Sequence, residues 1–375
     1  MQRDFVRHLK DSSSGIYRKT RWDRLHLDLP LILLLFALCG VGIAVLYSAS
    51  GQSQHYVSRQ LVFYGIGFVV MLVAAQFPPR FLARWAFIPY TFGLCMLAGV
   101  LFFGVGAKGA QRWLELGGFR FQPSEIMKVA VPLMVASYLS QRYLPPSFKH
   151  VVIALALMIA PALLVGLQPD LGTALLVVAA GFFALFLAGL GKRYIFGGIL
   201  AVLAAIPVFW FFLMRDYQRQ RVLTLLDPHA DRLGSGWNII QSTTAIGSGG
   251  WDGKGWMQGT QSQLDFLPES HTDFIIAVLA EDFGLVGVLA LLTLYLLIVG
   301  RCLYISMRAA SMFGRLLAGS ITLTFVVYIV VNMGMVSGVL PVVGVPLPLV
   351  SYGGTAIVTL MLGFGMLMSV VTDRK

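Results

Sequence analysis

Long apolar runs alternate with short polar connections along the whole chain. A helix that crosses the ~30 Å hydrocarbon core of a bilayer needs about 20 mostly apolar residues, and runs of about that length predict ten spans. The predicted spans are residues 29–48, 61–77, 86–106, 122–140, 151–167, 171–190, 194–214, 274–299, 316–339 and 351–371. The pattern therefore predicts an all-α integral membrane protein with about ten transmembrane helices.

Composition supports the same class of protein. Of the 375 residues, 57% are apolar and only 12% are charged, whereas soluble proteins carry about 25% charged residues. The mean hydropathy is +0.79. These values exclude water-soluble classes such as nucleic-acid enzymes and cytosolic dehydrogenases.

The distribution of positive charge predicts the orientation of the spans. Of the 28 lysines and arginines, 18 fall on the side that holds both chain ends and 9 on the opposite side, while Lys128 lies within a span. Lysine and arginine are enriched on the cytoplasmic side of membranes, so we expect both termini to be cytoplasmic. This bias also explains the net charge of +11 without a nucleic-acid partner.

Three regions follow from this topology. Residues 1–27 form a basic cytoplasmic segment, and residues 28–375 form a single membrane domain with one long periplasmic loop at residues 215–272. We expect the first span to stay as a membrane anchor, because no small-residue cleavage site of a signal peptide follows it. The loop contains Trp237, Ile239, Ile240, Trp251 and Trp256, which favour an ordered loop packed at the membrane surface.

Ionisable residues inside a span are costly and are candidates for function. Glu125 and Lys128 lie three positions apart in the fourth span, which places both side chains on one helix face, close enough to pair. The pair is either a structural tie between helices or part of a substrate or metal site.

Two polar motifs precede spans on the predicted outer side. Arg112 stands beside Trp113, which fits either an aromatic anchor at the interface or a guanidinium that binds phosphate. Residues 168–173 (QPDLGT) interrupt the apolar pattern and form either a plain turn or a broken helix that lines a site.

The richest polar cluster ends the long loop. Glu269, His271 and Asp273 lie within five residues. Thr272 is a candidate cap of the eighth helix, with Asp273 in its first turn, but the cluster holds more polar chemistry than a cap needs. The sequence leaves the role of Glu281 and Asp282, deeper in the same helix, open.

The sequence lacks the motifs of several common catalytic chemistries. No HExxH or paired-histidine spacing occurs, which argues against zinc. No GxxxxGK[ST] or GxSxG element is present either, so the chain offers neither an ATP-binding loop nor a serine nucleophile.

Five motifs of this sequence resemble those of the SEDS (shape, elongation, division and sporulation) proteins, and they occur in the family's order. The motifs are residues 108–113 (KGAQRW), 122–125 (QPSE) with Lys128, 168–173 (QPDLGT), 267–274 (LPESHTDF) and 344–354 (GVPLPLVSYGG). Residues 271–280 (HTDFIIAVLA) are more similar to the elongation members than to the division members.

The resemblance implies a ten-helix peptidoglycan glycosyltransferase of the bacterial inner membrane, multi-pass and part of the elongation machinery. Such proteins polymerise lipid II at the periplasmic face, together with a class B penicillin-binding protein. The family's essential aspartate falls on Asp273 and its intramembrane ion pair on Glu125 and Lys128. The resemblance also implies a divalent cation, Mg²⁺ or Mn²⁺, whose ligands the sequence does not assign.

The expected reaction needs one base and several cations. An α-linked donor that gives a β-1,4 product undergoes one inversion, hence a single displacement, with Asp273 as the candidate general base. Arg112, Arg219 and Arg221 are candidates to stabilise the departing pyrophosphate. Glu269 and His271 stand beside the base and are expected to contribute to substrate binding and electrostatics.

Two other classes of function share part of this pattern. A flippase or transporter of lipid-linked precursors would also use ten helices, a broken helix and a buried ion pair, although the spans show no obvious inverted repeat. A non-catalytic scaffold would not need the polar cluster at residues 269–273.

Overall fold

The computed structural model describes residues 26–372 apart from 108–109, 117–118, 232–233, 265 and 268. The predicted basic segment 1–27 therefore lies almost wholly outside the described residues. The elements are α1 (Leu29–Ala49), α2 (Gln54–Ala75), α3 (Pro79–Trp85), α4 (Phe87–Phe103), β1 (Val105–Ala107), β2 (Ala110–Leu116), β3 (Phe119–Phe121), α5 (Pro123–Ser140), α6 (Phe148–Leu167), α7 (Leu171–Leu187), α8 (Lys192–Val208), α9 (Asp216–Leu226), α10 (Ser235–Gly249), α11 (Thr260–Gln263), α12 (Ile275–Arg308), α13 (Met312–Val336) and α14 (Gly354–Thr372).

The described chain is mostly helical, and each of the ten predicted ranges overlaps a helix. Among the described residues, seven helices are long and apolar enough to cross a membrane, namely α1, α2, α6, α8 with its C-terminal π-turn, α12, α13 and α14. The pair α3–α4, bent by 45°, makes an eighth if it is one span. The apolar helix α7 has 17 residues, and α5 carries an ion pair. The count of ten spans stays a prediction.

Short-range signals explain where several helices begin. Proline occupies the first turn of α1, α3 and α5, where its missing N–H costs no hydrogen bond. The Asp28 carboxylate accepts a 3.0 Å hydrogen bond from the Leu31 amide and so caps α1. The same carboxylate binds Arg301 of α12 at 2.7 and 3.0 Å, which joins the first and the longest helix.

Close backbone approach between α2 and α14 holds one side of the bundle together. A Cβ atom on Gly365 would overlap the Met71 carbonyl oxygen, and one on Gly67 would lie 3.0 Å from Met361. Small residues at such seams let membrane helices pack at short range, where van der Waals contacts are numerous. Glycine is therefore required at position 365 by the packing of α14 on α2.

A three-stranded antiparallel sheet precedes α5, with strand order β1–β2–β3. The apolar pattern predicted a third span as far as residue 106, but the helix ends at Phe103 and β1 begins at Val105. Valine and glycine in a run of apolar residues do not distinguish a helix end from a short strand, so the sequence did not show this sheet.

Residues 215–272 contain the helices α9, α10 and α11 and pack on one end of the bundle. In α10, Ser242 is fully buried and its hydroxyl donates a 2.8 Å hydrogen bond to the Val336 carbonyl at the end of α13. The Trp256 indole donates to the Ala44 carbonyl of α1 at 3.1 Å. The predicted loop is ordered through these contacts.

The buried acids Glu281 and Asp282 bind part of this region to a break in α12. Gly284 has a φ of 63°, outside the helical range. Glu281 accepts a 2.7 Å hydrogen bond from the Lys254 ammonium, and Asp282 accepts one from the Ser48 hydroxyl. The Lys254 amide also donates to the Glu281 carbonyl at 2.9 Å. The two acids thus have a structural role that the sequence did not reveal.

The two ends of the bundle are distinguished by these loops. The Ser270 hydroxyl donates to the Ala49 carbonyl at 3.0 Å, so α1 ends where the long loop lies. We call this the outer end. Residues 78–85 and 137–150 connect helices at the opposite, inner end.

Candidate active site

Asp273 lies in a turn immediately before α12, at the outer end. The helix begins at Ile275 with Phe274 as its N-cap, and its first turn contains no acid. The Thr272 hydroxyl donates to Glu269, to its carboxylate at 2.9 Å and its carbonyl at 3.2 Å. The interpretation of Thr272 as the helix cap, with Asp273 in the first turn, is therefore wrong. The turn closes on the Glu269 carbonyl instead, which also accepts from the Phe274 amide at 3.4 Å.

Asn332 of α13 fixes the position of this turn. Its side-chain amide donates to the carbonyl of Asp273 at 2.8 Å and to the carbonyl of Val345 at 2.7 Å. Asn332 is fully buried, and a buried amide group is stable only when it is hydrogen-bonded. One side chain thereby joins the turn of Asp273 to the segment between α13 and α14.

That segment, residues 338–353, passes directly beside the carboxylate. A Cβ atom on Gly344 would lie 3.4 Å from Asp273 Oδ2, and Gly344 has a φ of +82°. Val343 packs on Gly172 so closely that a Cβ on Gly172 would overlap it. The motifs at residues 168–173, 267–274 and 344–354 therefore meet at one place.

Three aromatic side chains surround the backbone next to Asp273. The His271 ring lies 4.8 Å from the Tyr56 ring and 6.3 Å from the Tyr352 ring, and the two tyrosines lie 5.3 Å apart, edge to face. The Tyr352 amide donates to the His271 carbonyl at 3.0 Å. Burial lowers the pKa of His271 from its usual value of 6.5, although the charge of Glu269 opposes this effect.

The predicted pair of Glu125 and Lys128 is formed. The two side chains are almost completely buried and lie 2.6 Å apart. The Lys128 ammonium also lies 5.0 Å from the centre of the Tyr328 ring, and the Thr359 hydroxyl of α14 approaches Glu125 Oε2 at 3.4 Å. The pair therefore contacts both α13 and α14.

Tyr328 and Asn332 connect the ion pair with the turn of Asp273. They are four residues apart in α13 and hence on one face of that helix. Tyr328 contacts Val345 in a small buried cluster, and Val345 is the residue whose carbonyl Asn332 binds. Glu125, Tyr328 and residues 346–349 also line one small cavity. The motif that contains Glu125 and Lys128 is thus connected through α13 to the three motifs that meet at Asp273.

Arg112 belongs to β2, and its side chain lies against the QPDLGT motif at the start of α7. Its guanidinium donates to the Pro169 carbonyl at 2.5 Å and lies 3.6 Å from Asp170 Oδ2. Asp170 caps α7 by accepting from the Thr173 amide at 3.2 Å. Asp170 is buried, whereas the Arg112 side chain is 30% exposed.

Arg219 and Arg221 lie on α9. Arg219 donates to the carbonyls of Trp210 and Phe211 at 3.0 and 3.1 Å, and these bonds close the C-terminal turn that follows α8. Arg221 stacks at 5.9 Å on the ring of Tyr217, whose hydroxyl donates to the Pro169 carbonyl. Arg112 and Tyr217 of α9 therefore both donate to the Pro169 carbonyl, while Arg219 binds the backbone that follows α8.

The sequence did not identify Asn332, Tyr328 or Tyr56 as parts of this site. A lone asparagine in an apolar span is itself a signal, because it must hydrogen-bond across helices in lipid. The tyrosines carried no such signal, because tyrosine is common near the ends of membrane helices.

Comparison with known proteins agrees with this arrangement. Residues 29–375 match the model of the cell cycle protein family FtsW/RodA/SpoVE. The chain is 56% identical to the peptidoglycan glycosyltransferase MrdB of Escherichia coli K12 over 360 residues, which are 96% of this chain and 97% of that protein. It is 36% identical to a probable peptidoglycan glycosyltransferase FtsW of Trichlorobacter lovleyi, over 93% of this chain and 94% of that protein.

Solved structures show the same fold. A chain of a peptidoglycan synthase complex, described for its coordination of polymerization and crosslinking, matches with a TM-score of 0.82 and 32% identity, over 92% of this chain and 98% of that chain. The rod shape determining protein RodA of Thermus thermophilus matches with a TM-score of 0.70 and 30% identity, over 92% and 97%.

Fold and site together define a polytopic membrane protein whose polar motifs meet at the outer end of its bundle. The chain belongs to the FtsW/RodA/SpoVE family of cell cycle proteins. This is the family that the five motifs resembled.

Proposed function

We propose that the chain is a peptidoglycan glycosyltransferase that polymerises lipid II into β-1,4 glycan strands during cell elongation. The observation that carries this proposal is the meeting of the family's polar motifs around Asp273 in a chain 56% identical to a protein of that activity. The flippase alternative shares the broken helix and the buried ion pair, but the similar proteins are described as glycosyltransferases.

Asp273 is the proposed general base. It takes the proton from the 4-hydroxyl of the acceptor sugar while that oxygen forms a bond to the anomeric carbon of the donor. The bond from this carbon to the lipid pyrophosphate breaks, and the pyrophosphate leaves with the electron pair. Because the leaving group departs without a proton, one carboxylate is enough. Attack from the opposite side converts an α-linked donor into a β-linked product.

The negative charge of the leaving group needs positive partners. Arg112 is the best placed of the three predicted arginines, since its guanidinium lies beside the QPDLGT motif, which Val343 joins to the segment next to Asp273. Arg221 keeps its guanidinium on the surface of α9. Two donors of Arg219 are already bound to backbone carbonyls, so we propose that it supports the site by holding α9.

We propose that His271 and Glu269 shape the site around the base. The His271 ring packs at a tilt against the neighbouring tyrosines, and rings of this kind pack against the apolar faces of sugars. Glu269 orders the turn by accepting from Thr272. The ion pair of Glu125 and Lys128 would then position α13 beneath the turn.

We propose that the implied divalent cation binds together with the substrate. Among the described residues, no three histidines, cysteines or acids lie close enough to hold a metal by themselves. Mg²⁺ commonly binds one or two carboxylates together with substrate phosphates, so Glu269 with the pyrophosphate would suffice, and Asp273 keeps its role as the base. Bound in this way, the cation would neutralise charge on the leaving group. Binding of Mn²⁺ to wild-type protein and to the Glu269→Gln variant, with and without lipid II, tests this set of ligands.

A class B penicillin-binding protein is the proposed partner. A chain similar to this one belongs to a complex that coordinates polymerization with crosslinking. The membrane location of the donor fits as well, because its prenyl chain can stay in the bilayer while its sugars reach Asp273.

We propose ten spans with both termini cytoplasmic, in the bacterial inner membrane. The charge bias places positions 192 and 308 in the cytoplasm and positions 227 and 254 in the periplasm. Single cysteines at these positions, in a cysteine-free background, should react with an impermeant maleimide accordingly. Labelling of position 308 from outside intact cells would contradict the ten-span topology.

The activity is tested by incubating the purified protein, with its class B partner, with lipid II. Glycan strands should form, and they should be absent when the protein is omitted. Movement of labelled lipid II between leaflets without any glycan product would favour the flippase instead.

A further inference from the structure

A cavity with both polar and apolar lining lies at the inner end, the end opposite to Asp273. It has a volume of about 560 Å³ and lies between α3, the start of α4 and the C-terminal half of α5. Ligand sites in proteins typically have about 300–1,000 Å³. Arg80, Arg84, Tyr138 and Gln141 form its polar part, and Phe87 and Met134 form its apolar part.

The two arginines of this cavity have no acidic partner among the described residues. The sequence contains no aspartate or glutamate between Asp28 and Glu115, and none between Glu125 and Asp170. Within the part of the chain that the structure describes, Arg80 and Arg84 form no ion pair, whereas Arg112 and Arg301 each have an aspartate. Two exposed arginines on one short helix therefore line an open cavity in which the described residues place no negative charge.

The walls of the cavity are held in place by other contacts. The Ser137 hydroxyl of α5 donates to the Ala83 carbonyl of α3 at 2.7 Å. The Tyr138 hydroxyl lies 2.7 Å from His150 Nδ1, and the Arg142 guanidinium lies 5.5 Å from the centre of the Tyr138 ring. These contacts hold the walls of the cavity in place, and the Arg142 guanidinium adds a third positive charge next to Tyr138.

The polar and apolar parts lie at different depths. Arg80, Arg84 and Gln141 are near the inner ends of their helices, whereas Met134 is about two turns further along α5 and therefore deeper in the bundle. Phe87 is about half exposed on the surface of the bundle. A molecule that fills this space needs an anionic head, which arginine forks bind in bidentate fashion, and an apolar tail that runs past Phe87 and Met134.

We propose that this cavity binds the headgroup of an anionic phospholipid from the cytoplasmic leaflet. Basic pockets between membrane helices on this side are suited to such headgroups, and the two uncompensated arginines supply the charge complementarity. The assignment to the cytoplasmic leaflet rests on the proposed topology, but the binding itself does not depend on the polymerase activity.

Native mass spectrometry of the purified protein tests this proposal with two lipids of equal acyl chains, dioleoylphosphatidylglycerol and dioleoylphosphatidylcholine. We expect wild-type protein to retain the phosphatidylglycerol preferentially. Arg80→Gln with Arg84→Gln should weaken this binding on the order of 30-fold, since each basic residue near a membrane surface contributes about fivefold and the two factors multiply. The matched control is Lys192→Gln with Arg193→Gln, which removes two positive charges from another inner connection and should leave the preference unchanged.

Two further variants separate the cavity from simple charge. Arg80→Lys with Arg84→Lys keeps both charges and should retain most of the binding. Its retention would indicate that the glutamine variant loses binding because it loses charge, and not because substitution at these positions unfolds the protein. Ala83→Leu places a larger side chain in the cavity without changing charge and should reduce binding. Equal retention of the two lipids by wild-type protein, or equal losses in the Arg80/Arg84 and Lys192/Arg193 variants, would overturn the proposal.

The orientation is tested separately. A single cysteine at position 84 should react with an impermeant maleimide only from the cytoplasmic side. Labelling from the periplasmic side would contradict the topology and hence the leaflet, while leaving the binding measurement in detergent intact.

Discussion

The side-chain amide of Asn332 donates to the backbone carbonyl of Asp273 at 2.8 Å and to that of Val345 at 2.7 Å. Through this single buried residue, α13 holds both the turn before α12 and the segment that passes the Asp273 carboxylate. Four residues earlier on the same face, Tyr328 covers Lys128 of the buried ion pair. The position of the proposed base is therefore determined by α13 as much as by its own helix.

Replacing Asn332 tests this coupling. Asn332→Leu leaves two buried carbonyls without their donor, at a cost of about 1–3 kcal/mol for each group. We expect a lower midpoint of thermal unfolding and a lower rate of glycan synthesis. Thr324→Val is the matched control on the same helix, because the Thr324 hydroxyl binds only the Ser320 carbonyl of its own helix. An equal loss of polymerisation rate in both variants would contradict the positioning role of Asn332.

Gly344 tests the approach of the 338–353 segment to the base. Gly344→Ala strains a backbone with positive φ by about 1–2 kcal/mol and places a methyl group 3.4 Å from Asp273 Oδ2. We expect the variant to lose more activity, measured as the initial rate with lipid II, than its modest loss of stability explains. Gly40→Ala, at a helical site with open space around it, should keep wild-type rates. A fully active Gly344→Ala protein would show that nothing has to fit between this segment and the carboxylate.

Because Glu125 and Lys128 neutralise each other, replacing either residue alone should cost more stability than replacing both. Either Glu125→Gln or Lys128→Met leaves one buried charge without its partner, at a cost on the order of 3–5 kcal/mol. We expect both single variants to unfold at lower temperature and the double variant to recover part of the loss. Thermal unfolding followed in detergent measures this. Wild-type stability in both single variants, combined with lost activity, would place the pair in substrate binding instead.

His271 predicts a dependence of stability on pH. Burial lowers the pKa of His271 below its usual 6.5, so the unfolded chain binds more protons than the folded one between these two values. Stability should therefore rise with pH through this window, be complete above about pH 6.5, and fall as the pH drops toward the folded pKa. His271→Asn should make the unfolding midpoint less dependent on pH within this window. Identical pH profiles for His271→Asn and wild-type protein would refute this account of His271.

The sequence predicted the helices well because helices that cross a membrane need long apolar runs. Such runs can be recognised directly in the amino-acid sequence. The pairing of Glu125 with Lys128 was also predictable, because spacing within one helix determines which side chains meet. Helix limits at the outer end were less predictable. The turn of Asp273 closes on Glu269 rather than on Thr272, because contacts with Asn332 and Tyr352, both distant in sequence, hold it.

The sheet before α5 and the helices of the long loop could not be predicted for a related reason. Their segments are short and have little periodicity, and they are ordered by packing on the bundle, as the bond from Ser242 to the Val336 carbonyl shows. The sequence left the role of Glu281 and Asp282 open, because acids in an apolar helix can be structural or functional. Their contacts with Lys254 and Ser48 instead bind the outer loop to the break in α12.

The central claim is that Asp273 is the general base, and Asp273→Asn tests it most directly. Asn332 holds this residue through its backbone carbonyl, so the variant should keep its fold and should still bind the class B partner. Asparagine cannot accept the acceptor's proton, and loss of general-base catalysis typically lowers a rate by about 10²–10⁴-fold. The control is Asp252→Asn, which removes an exposed outer acid and should leave the rate unchanged.

The decisive measurement is the rate of glycan synthesis from lipid II by the purified complex of each variant with its partner. Almost no polymer from Asp273→Asn, beside normal rates from Asp252→Asn, is the predicted result. Polymerisation by Asp273→Asn at close to the wild-type rate, in a preparation free of other polymerases, would contradict the proposed mechanism.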